Sequence, residues 1–398
     1  MGRASGKYIL NFSKRLLSPQ YILLCNFKNT FPIIIFLIIV FISSTSLAGL
    51  KYQVIDLGTL GGYWSKAWDI NNEGLIGGAA YTSDQIEHAC LWDSEYSITD
   101  LQTLGGTKSR VYGLNDTGSA VGWSNTSAGK IHAFIYKNGI ISDLGTLGGN
   151  NSTAWDINNN GIAVGWANNS EGIYKATMWD NDWKIELTGF GGDYSIAYGI
   201  NDGGTIVGVA ENSVGRDRAV MWKGTDVIQL GMLPGGSWSS AVAVNEAEQV
   251  IMWANNSAGN THACLWENYH MLDLGTFGGN DSWAYDLNNL GHVVGWAENS
   301  DGTYQAFLYD GNMMFNMGTL GGLFSAAYGI NDYDQIVGIS QYEDGLMHAV
   351  LWLPVPEPTS LVFFVTGTII LLSRRANANR RFVSRYTSGL ILTKEINQ

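Results

Sequence analysis

Residues 143 to 167 read DLGTLGGNNSTAWDINNNGIAVGWA. A short apolar entry meets a Gly-Thr-Leu-Gly-Gly turn, and the residues beyond it carry the alternation that a half-buried strand needs. The turn recurs along the chain. Glycine pairs begin at Gly61, Gly105, Gly148, Gly191, Gly235, Gly278 and Gly321, at steps of 44, 43, 43, 44, 43 and 43 residues. Self-similarity at that period marks an array of one supersecondary unit.

Four segments recur in each unit. The first is SxA(W/Y)(D/G)IN, which in all seven copies begins with Ser (65, 109, 152, 195, 239, 282, 325) and ends with Asn (71, 115, 158, 201, 245, 288, 331). The second resembles GxxVGWA, as at Gly161 to Ala167. The third reads HACLW, HAFIY, KATMW, RAVMW, HACLW, QAFLY and HAVLW, and the fourth is of the IxDLG type. Each is a short run rich in Val, Ile, Trp and Tyr bounded by Gly, Asn, Asp or Ser, too short for a helix. Four short antiparallel strands per unit is the plan of a propeller blade.

The ends of the array fix the closure expected. A lone fourth-type strand, YQVIDLG (Tyr52 to Gly58), precedes the first complete unit, while the seventh unit stops after HAVLW (His348 to Trp352). The spare strand matches the missing one, so a ring can form without an open sheet edge. The expectation is an all-β, seven-bladed β-propeller of four-stranded blades, closed by strand 52–58, with a β-solenoid as the alternative. In it SxA..IN is innermost and the DLG strand outermost, with the Ser and Asn of the first strand facing the central channel.

The termini have their own chemistry. Of 22 basic residues in the 398-residue chain, 11 lie in residues 1–48 and 373–398 beside one acid, Glu395, which leaves 11 basic against 34 acidic residues between them. So acidic a body repels nucleic acid and attracts cations or basic partners. At the N-terminus a basic stretch leads into PIIIFLIIVFI (Pro32 to Ile42) and then SSTSLA, the pattern of a signal peptide over 1–48 cleaved after Ala48. Once Cys25 is removed only Cys90 and Cys264 remain, so no disulfide framework holds the exported fold.

The HA(F/C/V)(L/I)W segments and DLGTLGG turns resemble the HAF repeat family of bacterial extracellular proteins over residues 52–352, within a domain of 49–353. The resemblance implies export and a repeated β-fold, with no catalytic residues. Lys175, Arg218 and Gln305 stand where the name residue is His. The tail VPEPTSLVFFVTGTIILLSRR (Val355 to Arg375) resembles the PEP-CTERM sorting signal, which places that signal over 354–375 with a basic tail of 376–398. It implies processing by an exosortase near Pro356, Glu357 and Pro358, transient anchoring in the inner membrane, and display on the surface of a Gram-negative bacterium that makes extracellular polysaccharide. The apolar run is short against the ~20 residues of a full span.

The repeat constrains the candidate chemistries. Around Gln102 to Ser109 the spacing is that of a P-loop, but Gln102 and Thr107 replace its glycines and no helix follows. DINNNG (Asp156 to Gly161) matches the opening of a calcium loop through Asp156, Asn158 and Asn160, with DINNEG and DLNNLG near it, but Ala167 stands where the bidentate acid belongs. A hairpin turn explains the same residues. The third-strand histidines share their slot with Lys, Arg and Gln, which suits a strand-edge contact better than a metal ligand. No GxSxG elbow occurs, and Arg110, Arg216 and Arg218 are too few for an arginine-lined hydrolase site.

The residue before the invariant Ser varies sharply: Trp64, Lys108, Asn151, Tyr194, Trp238, Asp281 and Phe324. Aromatic planes there suit sugar rings, and the polar members suit hydroxyls. The sequence therefore points to a non-catalytic, secreted or surface-displayed protein of the biofilm matrix. It would bind polysaccharide or another surface protein, or serve a purely structural role in the matrix, and need no cofactor unless calcium sits at Asp156, Asn158 and Asn160; the alternative is a propeller enzyme acting on polysaccharide.

Overall fold

A computed structural model describes residues 52–355. The segment expected to be a signal peptide, the Pro356-Glu357-Pro358 motif and the basic tail lie outside them. The described residues form 28 strands joined by turns, with no helix among them. In units one to six the four segments pair antiparallel in chain order, as in unit three, where Gly148–Ile157, Ala163–Asn169, Tyr174–Asp180 and Trp183–Glu186 lie side by side. The opening strand Tyr52–Asp56 pairs with Met347–Pro354, the third strand of unit seven, and Leu57 N donates to Ala349 O at 3.0 Å.

Units pack face to face, and the core lies between them. Val121 and Ala133 of unit two meet Ala154, Ile157, Ala163, Ala167 and Trp179 of unit three. Likewise Leu57, Ala67, Ile70 and Trp92 meet Val337, Ala349 and Leu351 of unit seven.

The invariant serines depart from expectation. Each is buried between units instead of facing the channel. Ser152 Oγ accepts from Ala133 N of the preceding unit at 2.9 Å and donates to Gly145 O at 2.7 Å. The same acceptance recurs at Ser65, Ser109, Ser195, Ser239, Ser282 and Ser325. A hydroxyl is the smallest group that can accept and donate at once, so Ser fits where two backbones converge.

The Gly-Thr-Leu-Gly-Gly turn is a self-stapled corner. Thr146 Oγ1 donates to Gly149 O at 2.9 Å and accepts from Gly148 N at 3.3 Å. Gly148 has φ +99°, and a Cβ on Gly149 would lie 2.4 Å from Asn169 O, so neither position takes another residue without strain.

A candidate cation-binding channel

One irregularity in the first strand builds the site. In all seven copies the register slips after the third residue of SxA, which is Ala except for Val111 in unit two, as between Ala154 and Asp156. A bulge there lets two successive residues face the same way. Trp155 and Asp156, or Trp68 and Asp69, therefore both line a central cavity of about 430 Å³, with the turn residues that follow at its mouth.

Two cycles of hydrogen bonds order the mouth. Each invariant Asn donates its Nδ2–H to the backbone carbonyl of the next unit's Asn, at 2.9 to 3.1 Å, and Asn331 donates back to Asn71. Its Oδ1 closes its own turn, as Asn158 does by accepting from Ile162 N at 3.0 Å. The residues after them are Asn72, Asp116, Asn159, Asp202, Glu246, Asn289 and Asp332. The backbone N–H of each donates to the side-chain oxygen of the next, and Asp332 N donates to Asn72.

Deeper, the bulge position holds Asp69, Asp156 and Asp286 in units one, three and six and Gly113, Gly199 and Gly329 in units two, four and seven, with Ala243 in unit five. Each Asp bonds a backbone N–H of the next unit: Asp69 to Leu114 at 2.7 Å, Asp156 to Ile200 at 2.8 Å, Asp286 to Ile330 at 2.8 Å. Each glycine admits its neighbour's backbone, since a Cβ on Gly113 would lie 2.8 Å from Asp156 Cα. Burial pushes Asp156 up to about 6, against the pull of its two backbone bonds. Asp69 and Asp286 are raised by burial first, then by the neighbouring carboxylates.

The floor is a belt of aromatic rings. Successive centroids run Trp68, Tyr112, Trp155, Tyr198, Trp253, Tyr285, Tyr328 and back to Trp68 at 4.1 to 6.2 Å. In unit five the belt position is Val242, and Trp253 from the second strand fills its place. Every unit thus brings one acid to the cavity wall, as Asp69, Asp116, Asp156, Asp202, Glu246, Asp286 or Asp332, and no Lys or Arg lines it.

The residues singled out in the sequence are elsewhere. Trp64, Lys108, Asn151, Tyr194, Trp238, Asp281 and Phe324 sit toward the opposite end of the first strand and do not line this cavity. Several meet the third strand of the preceding unit: Asn151 Oδ1 accepts from Ile131 N at 3.1 Å, Asp281 Oδ1 accepts from Thr261 N at 2.7 Å, and Trp64 and Phe324 pair with Met347 and Tyr304. Trp238 borders a separate depression with Arg216 and Asp217. Of the calcium-loop residues, Asp156 bonds Ile157 N and Ile200 N, Asn158 bonds Asn201 O, and Asn160 bonds Asp202 O.

The histidine slot is a clasp between the third and fourth strands. His88, His132, His262 and His348 each place Nδ1 on the aspartate of a DLG-type strand: Asp100, Asp143, Asp273 and Asp56, at 2.7 to 3.1 Å. Where Lys175 replaces His, the partner position holds Glu186, 3.9 Å away. The covariation was present in the sequence as two columns, without the pairing that connects them.

No family model matches the chain, and no curated protein matches it. Among solved structures it is similar to YCF48 bound to D1 peptide, at 13% identity over 79% of this chain and 98% of that one, TM-score 0.49. It is also similar to the BP39L lectin from Burkholderia pseudomallei, at 9% identity over 73% and 97%, TM-score 0.46. A third is Pyrococcus horikoshii acylaminoacyl peptidase, at 10% identity over 77% of this chain and 55% of that one, TM-score 0.49. At such scores the architecture is decided by strand order: four-stranded antiparallel sheets whose first strands gather round one cavity. The fold is of the β-propeller kind. Its blades present carboxylates above aromatic faces, an arrangement that attracts a cation with an apolar or ring-shaped body.

Proposed function

We propose that this chain is an exported, exosortase-sorted surface or matrix protein whose propeller has seven blades, is closed by strand 52–58, and binds polysaccharide without catalysis. Support for seven-fold closure comes from the asparagine cycle, in which seven bonds return to Asn71. The ligand class is carried by one observation, the aromatic belt beneath carboxylates; no Lys or Arg lines the cavity, and Lys66 and Arg110 reach only the Trp68, Tyr112 and Tyr328 part of the belt. A sugar unit bearing a protonated amine suits all three features: its ring face stacks on indole or phenol, its ammonium meets Asp69, Asp156 or Asp286, and its hydroxyls meet the Asn cycle. About 430 Å³ is room for one or two such units, entering end-on.

The test is calorimetric titration of the full chain with glucosamine oligomers and their N-acetylated counterparts. Binding of the amine form, weakened at least about tenfold by acetylation or by Asp156→Asn with Asp286→Asn, is the expected result. Equal binding of both forms, or loss of binding on Trp64→Ala with Trp238→Ala instead, would move the site to the opposite face. Turnover of the oligomer would favour an enzyme. Export is checked separately by fractionation, and an unprocessed cytoplasmic chain would contradict both terminal signals.

A further inference from the structure

We propose that the rim of the cavity at blades six and seven is a second sugar subsite, over which a chain that enters the channel leaves it; this rests on the amino-sugar reading above. The cavity has room for one or two units, so further units of a longer chain lie outside it, against the turns that surround the mouth. The residue one step beyond the outer hydrogen-bond cycle decides what those units meet. In units one to five it is charged, polar or small, whereas units six and seven place Leu290 and Tyr333 there. Both are exposed, at 61% and 66%, although each directly follows a residue of the cavity wall, Asn289 or Asp332. Apolar side chains scattered singly over a surface need no explanation, but these two share one arc of one rim.

The two turns that carry them are fastened to each other. Asn289 donates its N–H and its Nδ2–H to the two carboxylate oxygens of Asp332, at 2.9 and 3.0 Å. Asp334 has φ +57° at the turn position that is Gly in units one to four and in unit six. An Asp there carries backbone strain that Gly does not. Its carboxylate offsets that strain across the blade boundary, where Asn288 Nδ2 donates to Oδ1 at 2.9 Å and His292 Nδ1 donates to the same oxygen at 2.7 Å. Leu290 N and Tyr333 N donate to Asn288 Oδ1 and Asn331 Oδ1, both at 3.1 Å, so the backbone beneath each apolar side chain is also held. A platform fixed in this way loses little freedom when a ligand settles on it.

The chemistry suits a pyranose ring with polar edges. Its C–H face covers the Tyr333 phenol and the Leu290 side chain, displacing water from apolar surface, while its hydroxyls stay at the solvent edge. The Asp332 carboxylate, adjacent in the chain to Tyr333, receives the ammonium of that outer unit. The rim thereby sets a direction: the chain crosses blades six and seven, not blade four, where Gly203 offers no side chain to cover.

Calorimetric titration of the full chain with the glucosamine dimer and tetramer tests this. The tetramer is expected to bind about tenfold more tightly than the dimer. Tyr333→Ala with Leu290→Ser should remove most of that gain while the affinity for the dimer stays within about twofold. Asp334→Gly restores the residue of the other turns and unfastens the platform, so it should cut the tetramer's advantage by about threefold with dimer binding unchanged, which a general loss of stability would not do. Dimer binding without a gain in length, or a gain that survives the double substitution, would overturn the subsite and leave the amino-sugar reading standing. Absence of dimer binding would instead overturn that reading, and the subsite with it. Self-association in sedimentation that Tyr333→Ala abolishes would assign the rim to a second copy of the chain and overturn the subsite as well.

Discussion

Asp156 and Gly113 show how single residues set the channel. The carboxylate of one unit ties down a backbone N–H of the next, and the glycine lets the following unit come close enough for contact. Gly113→Ala would force Cβ against Asp156 Cα and Trp155 O, 2.8 and 2.9 Å away, and backbone on both sides cannot yield. A loss of about 1–3 kcal/mol is expected in urea denaturation. The aspartates also make stability pH-dependent. Asp156 is raised in the folded protein to about 6, so the native state binds more protons than the unfolded chain between about pH 4 and 6. Its contribution is fully present below the unfolded value and is lost as pH rises through the folded one. The thermal midpoint should fall across that window, and Asp156→Asn should flatten the fall. A bound ammonium reverses the preference, so amino-sugar affinity should increase from pH 5 to 7 with proton release, read as a buffer-dependent heat.

At the level of the strand, most of the architecture was legible. The period, the four segment types, their order in each sheet and the pairing of Tyr52–Asp56 with the last unit all follow from repetition and from one surplus strand set against one missing strand. The lining of the central cavity was not legible, for a reason of parity. A strict period of two sends Trp155 and Asp156 to opposite faces, whereas the bulge after Ala154 turns both into the channel. Variation within the repeat drew attention to Asn151 and its counterparts, while the acids stood in view as the D/G and N/D alternations of DINN and GIND. The invariant Ser was misplaced because polarity suggested a wet channel, yet the hydroxyl is needed at a dry junction. Ser152→Ala would strand the N–H of Ala133 between two units. The expected cost is about 1–3 kcal/mol, with hydrogen exchange at Ala133 accelerated while exchange in blades five and six stays unchanged.

Across the whole molecule, a ring of seven cannot alternate Asp and Gly without one break. In the proposed closure that break falls in blade five, which holds Ala243 at the bulge, Val242 in the belt, and the shortest first strand, Ser239–Val244. Trp253 repairs the belt there, and its Nε1 donates to Ala284 O of blade six at 2.5 Å. Irregularity is concentrated in one blade, and the seam is made elsewhere, by Tyr52–Asp56 on blade seven. That seam carries buried Leu57, whose carbonyl accepts from Trp92 Nε1 at 2.9 Å, and Asp56, which takes the His348 clasp at 3.1 Å and the Tyr342 hydroxyl at 2.7 Å. A chain beginning at residue 59 would lose these bonds together and leave the third strand of blade seven as an open edge. Its thermal midpoint should drop by about 10 °C relative to a chain beginning at residue 49, with concentration-dependent association in sedimentation. Supplying residues 49–58 as a separate peptide should restore much of the loss if the strand closes a ring. An unchanged midpoint in the shortened chain would mean that the array holds itself without that strand, as a solenoid does.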